Sequence, residues 1–201
     1  MAAIPKIDPG DSDAELFSSY NFVIGLTLVV MMGIFSVISA TMSSKFIVDE
    51  YRGKKAILLF SYPISRKKIM ETKILLVFLF TFGSMLISGA IVLAVFMITE
   101  SLVPIGNDIA SLGLMLTSII YLVCYALIAA FCGIASSWIG FRKQSVIATI
   151  VASCIIMVTM CQIVAMTFFS GVAMILLLAG MGIITFLAVE SMLSQARKME
   201  I

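Results

Sequence analysis

Residues 74–98 read ILLVFLFTFGSMLISGAIVLAVFMI, an unbroken apolar run with no charge in it. Coiled as a helix at 1.5 Å per residue, the run is about 37 Å long, enough to cross the roughly 30 Å of hydrocarbon in a bilayer. The alternation of a membrane β-barrel strand is absent. Lipid offers backbone amides no partner, so a continuous apolar run of this length must satisfy them within itself, as a helix.

Working outward from this stretch, four further runs of the same kind appear, at 20–43, 112–138, 146–168 and 172–189. Hydrophobic residues make up 62% of the 201 positions and charged residues only 12%. Mean hydropathy is +1.18, far from the balance of a water-soluble domain. The expected fold is an all-α integral membrane protein with five transmembrane helices in a single domain over 20–201. Only Phe169, Ser170 and Gly171 separate the last two spans, which predicts a tight antiparallel hairpin.

The basic residues orient the chain. Residues 44–73 hold Lys45, Arg52, Lys54, Lys55, Arg66, Lys67, Lys68 and Lys73; Arg142 and Lys143 follow the third span, and Arg197 and Lys198 the fifth. These twelve of thirteen bases fall on one side, and the opposite loop 99–110 carries Glu100 and Asp108 without a base. The positive-inside rule places the N-terminus outside and the C-terminus in the cytoplasm, in the plasma membrane of a prokaryote. Residues 1–19, with Asp8, Asp11, Asp13 and Glu15, then form an exterior acidic connector.

Several chemistries are excluded by composition. The chain has no histidine and no carboxylate well inside a span, so it lacks the residues for a carboxylate proton relay or an intramembrane aspartyl protease. No phosphate-binding glycine loop of the G-x-x-x-x-G-K-[ST] kind occurs. No catalytic residue and no directly bound cofactor or metal is expected, and nothing points to nucleic acid. Cys124, Cys132, Cys154 and Cys161 all fall inside spans, which gives no disulfide framework. Cys154 and Cys161, with Met157 and Met160 between them, offer soft ligands for Cu(I) or, more simply, apolar packing. Ala129, Gly133 and Ser137, and Ser84 with Ser88, stand four apart and predict close helix contacts. Gln162, read as mid-membrane, should face another helix or a polar cavity, as an interhelical hydrogen bond or a contact in a substrate path.

The segment 44–73 is the one long polar stretch outside the N-terminal connector. Its first part predicts a short interfacial helix from about Lys45 to Phe60, with Ile47, Tyr51 and Leu58 along one side. Tyr62 and Pro63 end it, and Ser65 caps a new helix through Arg66, Lys67, Lys68, Glu71 and Lys73. Three cations in that first turn oppose the helix dipole, at a cost of about 0.3–1 kcal/mol each. Either anionic headgroups or a partner protein would offset this.

Glu50, Arg52-Gly53, Leu58-Leu59, Tyr62-Pro63-Ile64-Ser65-Arg66 and Lys73 resemble the pattern E-x-x-x-G-T-x-x-x-L-L-x-x-P-[IV]-S-R-x-x-[IL]-x-x-x-K of ABC-2 type transporter permeases. Lys54 stands where the family often has threonine, and the glutamate-to-glycine spacing is one residue shorter than usual. The resemblance implies a cytoplasmic coupling helix between the first two spans that docks on an ATP-binding cassette ATPase subunit, which would hold the ATP and magnesium. Glu50, Tyr51, Arg52, Gly53, Lys54, Leu58 and Leu59 would belong to the docking element, and Pro63, Ser65 and Arg66 to the turn back into the membrane. It further implies pairing with a second permease copy or a paralogue. The family has six helices, so the first would be missing here. The function expected on this basis is that of an exporter permease for an amphipathic or hydrophobic cargo such as a peptide, lipid-linked molecule or drug. The rival is a non-transporting membrane scaffold or immunity protein derived from a permease.

Overall fold

A computed structural model describes residues 20–50, 66–102, 112–167 and 171–198. The described chain is all helix: α1 Tyr20–Ser43, a π-helical turn Ser44–Val48, α2 Arg66–Leu102, α3 Leu112–Lys143, α4 Val146–Thr167 and α5 Gly171–Lys198. Each of the five α-helices is long and apolar enough to cross a membrane. The acidic connector 1–19 lies outside the described residues.

The α2 helix is formed from Arg66 on, as expected for the basic turns leading into the second span. Two other helices outrun their expected spans: α3 continues past Trp138 to Lys143, and α5 past Val189 to Lys198. Arg142 and Lys143, expected in a loop, form the last turn of α3. Cations are favoured at a helix C-terminus, where they meet the free carbonyls.

The turn between α3 and α4 is only Gln144 and Ser145. Gln144 adopts the left-handed conformation with φ 47°. Its N–H donates to Phe141 O (3.2 Å) and the Ser145 N–H donates to Gly140 O (3.1 Å), the two bonds of a Schellman motif. Ser145 then caps α4, its Oγ accepting from the Ala148 N–H at 3.4 Å.

The helices are arranged as a hub and a ring. Packed against all four others, α3 sits at the centre, and α1, α4, α5 and α2 follow one another around it. Of α3's most apolar window 61% is buried, against 17% for α4, so α3 is the core element and α4 faces outward over most of its surface. Ala126, Ile128, Ala129 and Ala130 are fully buried at its middle. The connection of the expected hairpin falls on residues 168–170, outside the described residues. Because α4 packs on α1 and α3 while α5 packs on α3 and α2, the two touch over little of their length.

Small residues set the closest approaches, as expected for Gly133: a Cβ there would collide with Ser39 of α1. Ala129 and Ser137 of the same stripe are fully buried. On α2 the expectation was misplaced. Ser84 is half-buried and donates to Phe80 O of its own helix at 2.6 Å. The close contact is at Gly89, where a Cβ would meet the Leu122 side chain. Most buried hydroxyls are satisfied the same way, as Ser36 to Met32 O (2.8 Å) and Ser136 to Gly133 O (2.7 Å).

Candidate functional site

At the end of α1, Ser43 Oγ donates to Ala40 O (2.9 Å) and Ser44 Oγ to Thr41 O (2.8 Å). The helix then widens. The Asp49 N–H donates to Ser44 O at 2.9 Å, an i to i+5 bond that closes a π turn. In this geometry the consecutive residues Ile47 and Val48 are both buried, while Lys45 and Phe46 stay exposed. The helix expected from about Lys45 to Phe60 is thereby corrected in its first turn, which is π-helical and gives way to a turn at Asp49 and Glu50.

On the returning side, Met70, Ile74 and Val77 face inward from α2. Lys67 and Glu71 form an exposed i, i+4 ion pair at 3.4 Å, worth a few tenths of a kcal/mol. Lys73 reaches back across the junction, and its ammonium donates to the Glu50 carboxylate. The pair joins the described ends that flank residues 51–65.

Both ends are also rooted in one apolar cluster. Ile47 and Val48 from the π turn meet Met70 and Ile74 of α2, Ile134 and Phe141 of α3, and Met192 of α5. Trp138, Val146, Val189 and Leu193 pack around it. Ser137 Oγ, donating to Ile134 O at 2.6 Å, lies 4.0 Å from Met192 Sδ. The cluster therefore gathers the same end of every helix in the bundle, the end that also carries Lys45, Lys67, Lys68, Arg142 and Lys143.

Of the residues singled out in the sequence, Glu50 is placed at the junction, paired with Lys73. Tyr51, Arg52, Gly53, Lys54, Leu58, Leu59, Pro63 and Ser65 lie outside the described residues. Arg66 opens α2. Gln162 lies in the second half of α4. Its side chain is exposed on the surface of the single chain, and no hydrogen bond to another helix holds it among the described residues. Met157 and Cys161 lie against Gly33 of α1, a packing position. Cys154 is exposed, and the described residues contain no group of three metal-ligating His, Cys, Asp or Glu.

Two features of the junction were not read from the sequence. The Glu50–Lys73 pair spans 23 positions, and only the presence of opposite charges flanking the polar segment hinted at it. The Arg142 guanidinium lies 5.9 Å from the centre of the Trp138 ring, a cation–π arrangement that the i, i+4 spacing of the two residues permits.

No family model matches the chain, and no solved structure matches it. A curated relative, the uncharacterized protein YcbO of Bacillus subtilis, is 28% identical over 123 residues, covering 61% of this chain. That match spans about half the relative's length, 54%.

Proposed function

We propose that the chain is the membrane subunit of an ATP-driven exporter of the ABC-2 permease kind, with residues 51–65 docking on a separate ATPase subunit at the cytoplasmic face. A second copy or a paralogous permease completes the translocation path. The observation that carries this reading is the junction: both flanks of the motif-bearing segment are joined by Glu50 and Lys73 and rooted in an apolar cluster shared with α3 and α5. A push on such a segment reaches the helix bundle through packed side chains rather than being lost in a slack loop. ATP-driven closure of the ATPase subunits would bias the bundle between two arrangements. The described interior is apolar apart from hydroxyls, most of them bonded to their own helices, which favours an amphipathic or hydrophobic cargo over a small ion.

The test is ATPase activity of the chain co-expressed and purified with its nucleotide-binding subunit, in wild type and in Arg52→Glu. Lys45→Met, an exposed base on the same face outside the ion pair and the docking residues, serves as the control. Co-purification with activity that Arg52→Glu abolishes and Lys45→Met retains is the expected result. Failure of any ATPase to bind wild type would sink the proposal and favour the scaffold or immunity reading.

A further inference from the structure

The divergence of α4 and α5 leaves a groove beside α3 at the basic end of the bundle. Two contiguous open cavities of about 280 and 270 Å³ share Ile139 and Ile156 as lining. Trp138 and Leu187 line the first, while Val151 and Lys143 line the second. The walls are aliphatic along the groove and turn cationic only at its mouth.

Four observations converge there. Lys143 lines the groove itself and Arg142 precedes it; both are exposed, and no carboxylate pairs with either among the described residues. The N-terminal turn of α4 contributes Ala148 to the same cavity, so the positive end of that helix dipole opens on the mouth. Trp138 lies five residues, about 7 Å, deeper than Lys143, the spacing of an interfacial aromatic below a headgroup. One charge opposes: Glu190 is exposed on α5, a turn beyond Leu187. Two cations and a helix N-terminus against one carboxylate leave the mouth net positive.

We propose that this groove binds an anionic phospholipid of the leaflet at the basic face, its phosphate at Arg142 and Lys143 and one acyl chain along Ile139, Ile156 and Leu187. The inference stands apart from any ATPase partner. Basic pockets between helices are favoured over bare lipid-facing surface for such headgroups because charge and apolar wall act on the same molecule.

Trp138 is the chain's single tryptophan, so it reports contact directly. The protein is reconstituted in phosphatidylcholine vesicles containing a small fraction of either dibrominated phosphatidylglycerol or dibrominated phosphatidylcholine, and quenching of Trp138 fluorescence is compared. Wild type should be quenched more by the anionic lipid. The preference should fall by about fivefold for each base removed in Arg142→Gln/Lys143→Gln, and persist in Lys45→Gln/Lys68→Gln, which removes the same charge elsewhere on that face. Equal quenching by the two lipids in wild type would overturn the proposal, as would a preference that survives Arg142→Gln/Lys143→Gln or falls equally in the control. Relief of quenching by soluble glycerol phosphate would assign the mouth to free phosphate and overturn the lipid assignment. Retention of phosphatidylglycerol on the detergent-purified chain in native mass spectrometry, lost in Arg142→Gln/Lys143→Gln, is the second supporting measurement.

Discussion

Gly133→Ala separates helix propensity from helix packing within one residue type. Replacing a mid-helix glycine by alanine gains about 1 kcal/mol of propensity wherever the methyl group has room. At Gly133 it has none. The new Cβ would collide with the Ser39 side chain and lie 3.4 Å from its carbonyl carbon, so α1 must shift rather than a flexible tip rotate. Overpacking of this kind costs about 1–3 kcal/mol, leaving a net destabilisation of about 0–2 kcal/mol. At Gly83 nothing lies within 4 Å of the same Cβ, and Gly83→Ala should stabilise by up to about 1 kcal/mol. The assay is unfolding by SDS titration in mixed micelles, followed by helical circular dichroism. In a Ser39→Gly background the sign should reverse, with Gly133→Ala now stabilising, because Ser39 Oγ is buried without a partner and its removal strands no other group. Gly133→Ala as stable as Gly83→Ala, or a cycle with no coupling, would refute the assignment of the α1–α3 contact.

Gln144→Gly should stabilise the chain by about 1–2 kcal/mol, since a left-handed residue at φ 47° then carries no Cβ; unchanged unfolding would deny the Schellman turn. Met70→Ala, at a fully buried position in the junction, should cost about 2–5 kcal/mol, whereas Leu76→Ala at a half-exposed one should cost little in the same titration. Glu50→Lys and Lys73→Glu should each destabilise by up to about 1 kcal/mol, and the double exchange should restore most of the loss. Additive effects would mean the pair contributes nothing.

The five spans were legible because a bilayer makes helix the only continuous solution and length alone then marks the candidates. The start of α4 coincides with the edge of its apolar run. The ends of α3 and α5 were not legible, because Arg142 and Lys143 read as loop by charge yet belong to a last turn closed by a non-glycine Schellman residue. Within the site, the widening of the chain into a π turn over 44–48 left no mark in the residues, because its signature is the Asp49 N–H to Ser44 O hydrogen bond rather than a residue pattern. Gln162 shows the opposite limit. The sequence marks it as costly in lipid, but only the packing of the described helices shows its side chain exposed on the single chain.

Two unfilled volumes among the described residues flank α3 diagonally. An apolar cavity of about 400 Å³ lies between α1, α2 and the start of α3, lined by Ile24, Leu93, Met97, Met115 and Leu122. The phospholipid groove lies on the other flank, at α3's far end, facing α4 and α5. Between them α3 is buried at most positions from Tyr125 to Ser137, so a tilt about that section would disturb the least packing. Because the two volumes are on opposite sides and at opposite ends, a tilt that closes one closes the other, and a tilt that opens one opens both. An acyl chain held in the groove would on this geometry prop open the distant cavity as well. The apolar cluster that roots residues 47, 48, 70 and 74 grips α3 at Ile134, within that section, and at Phe141, beyond it, where a lever on such a rod has most effect.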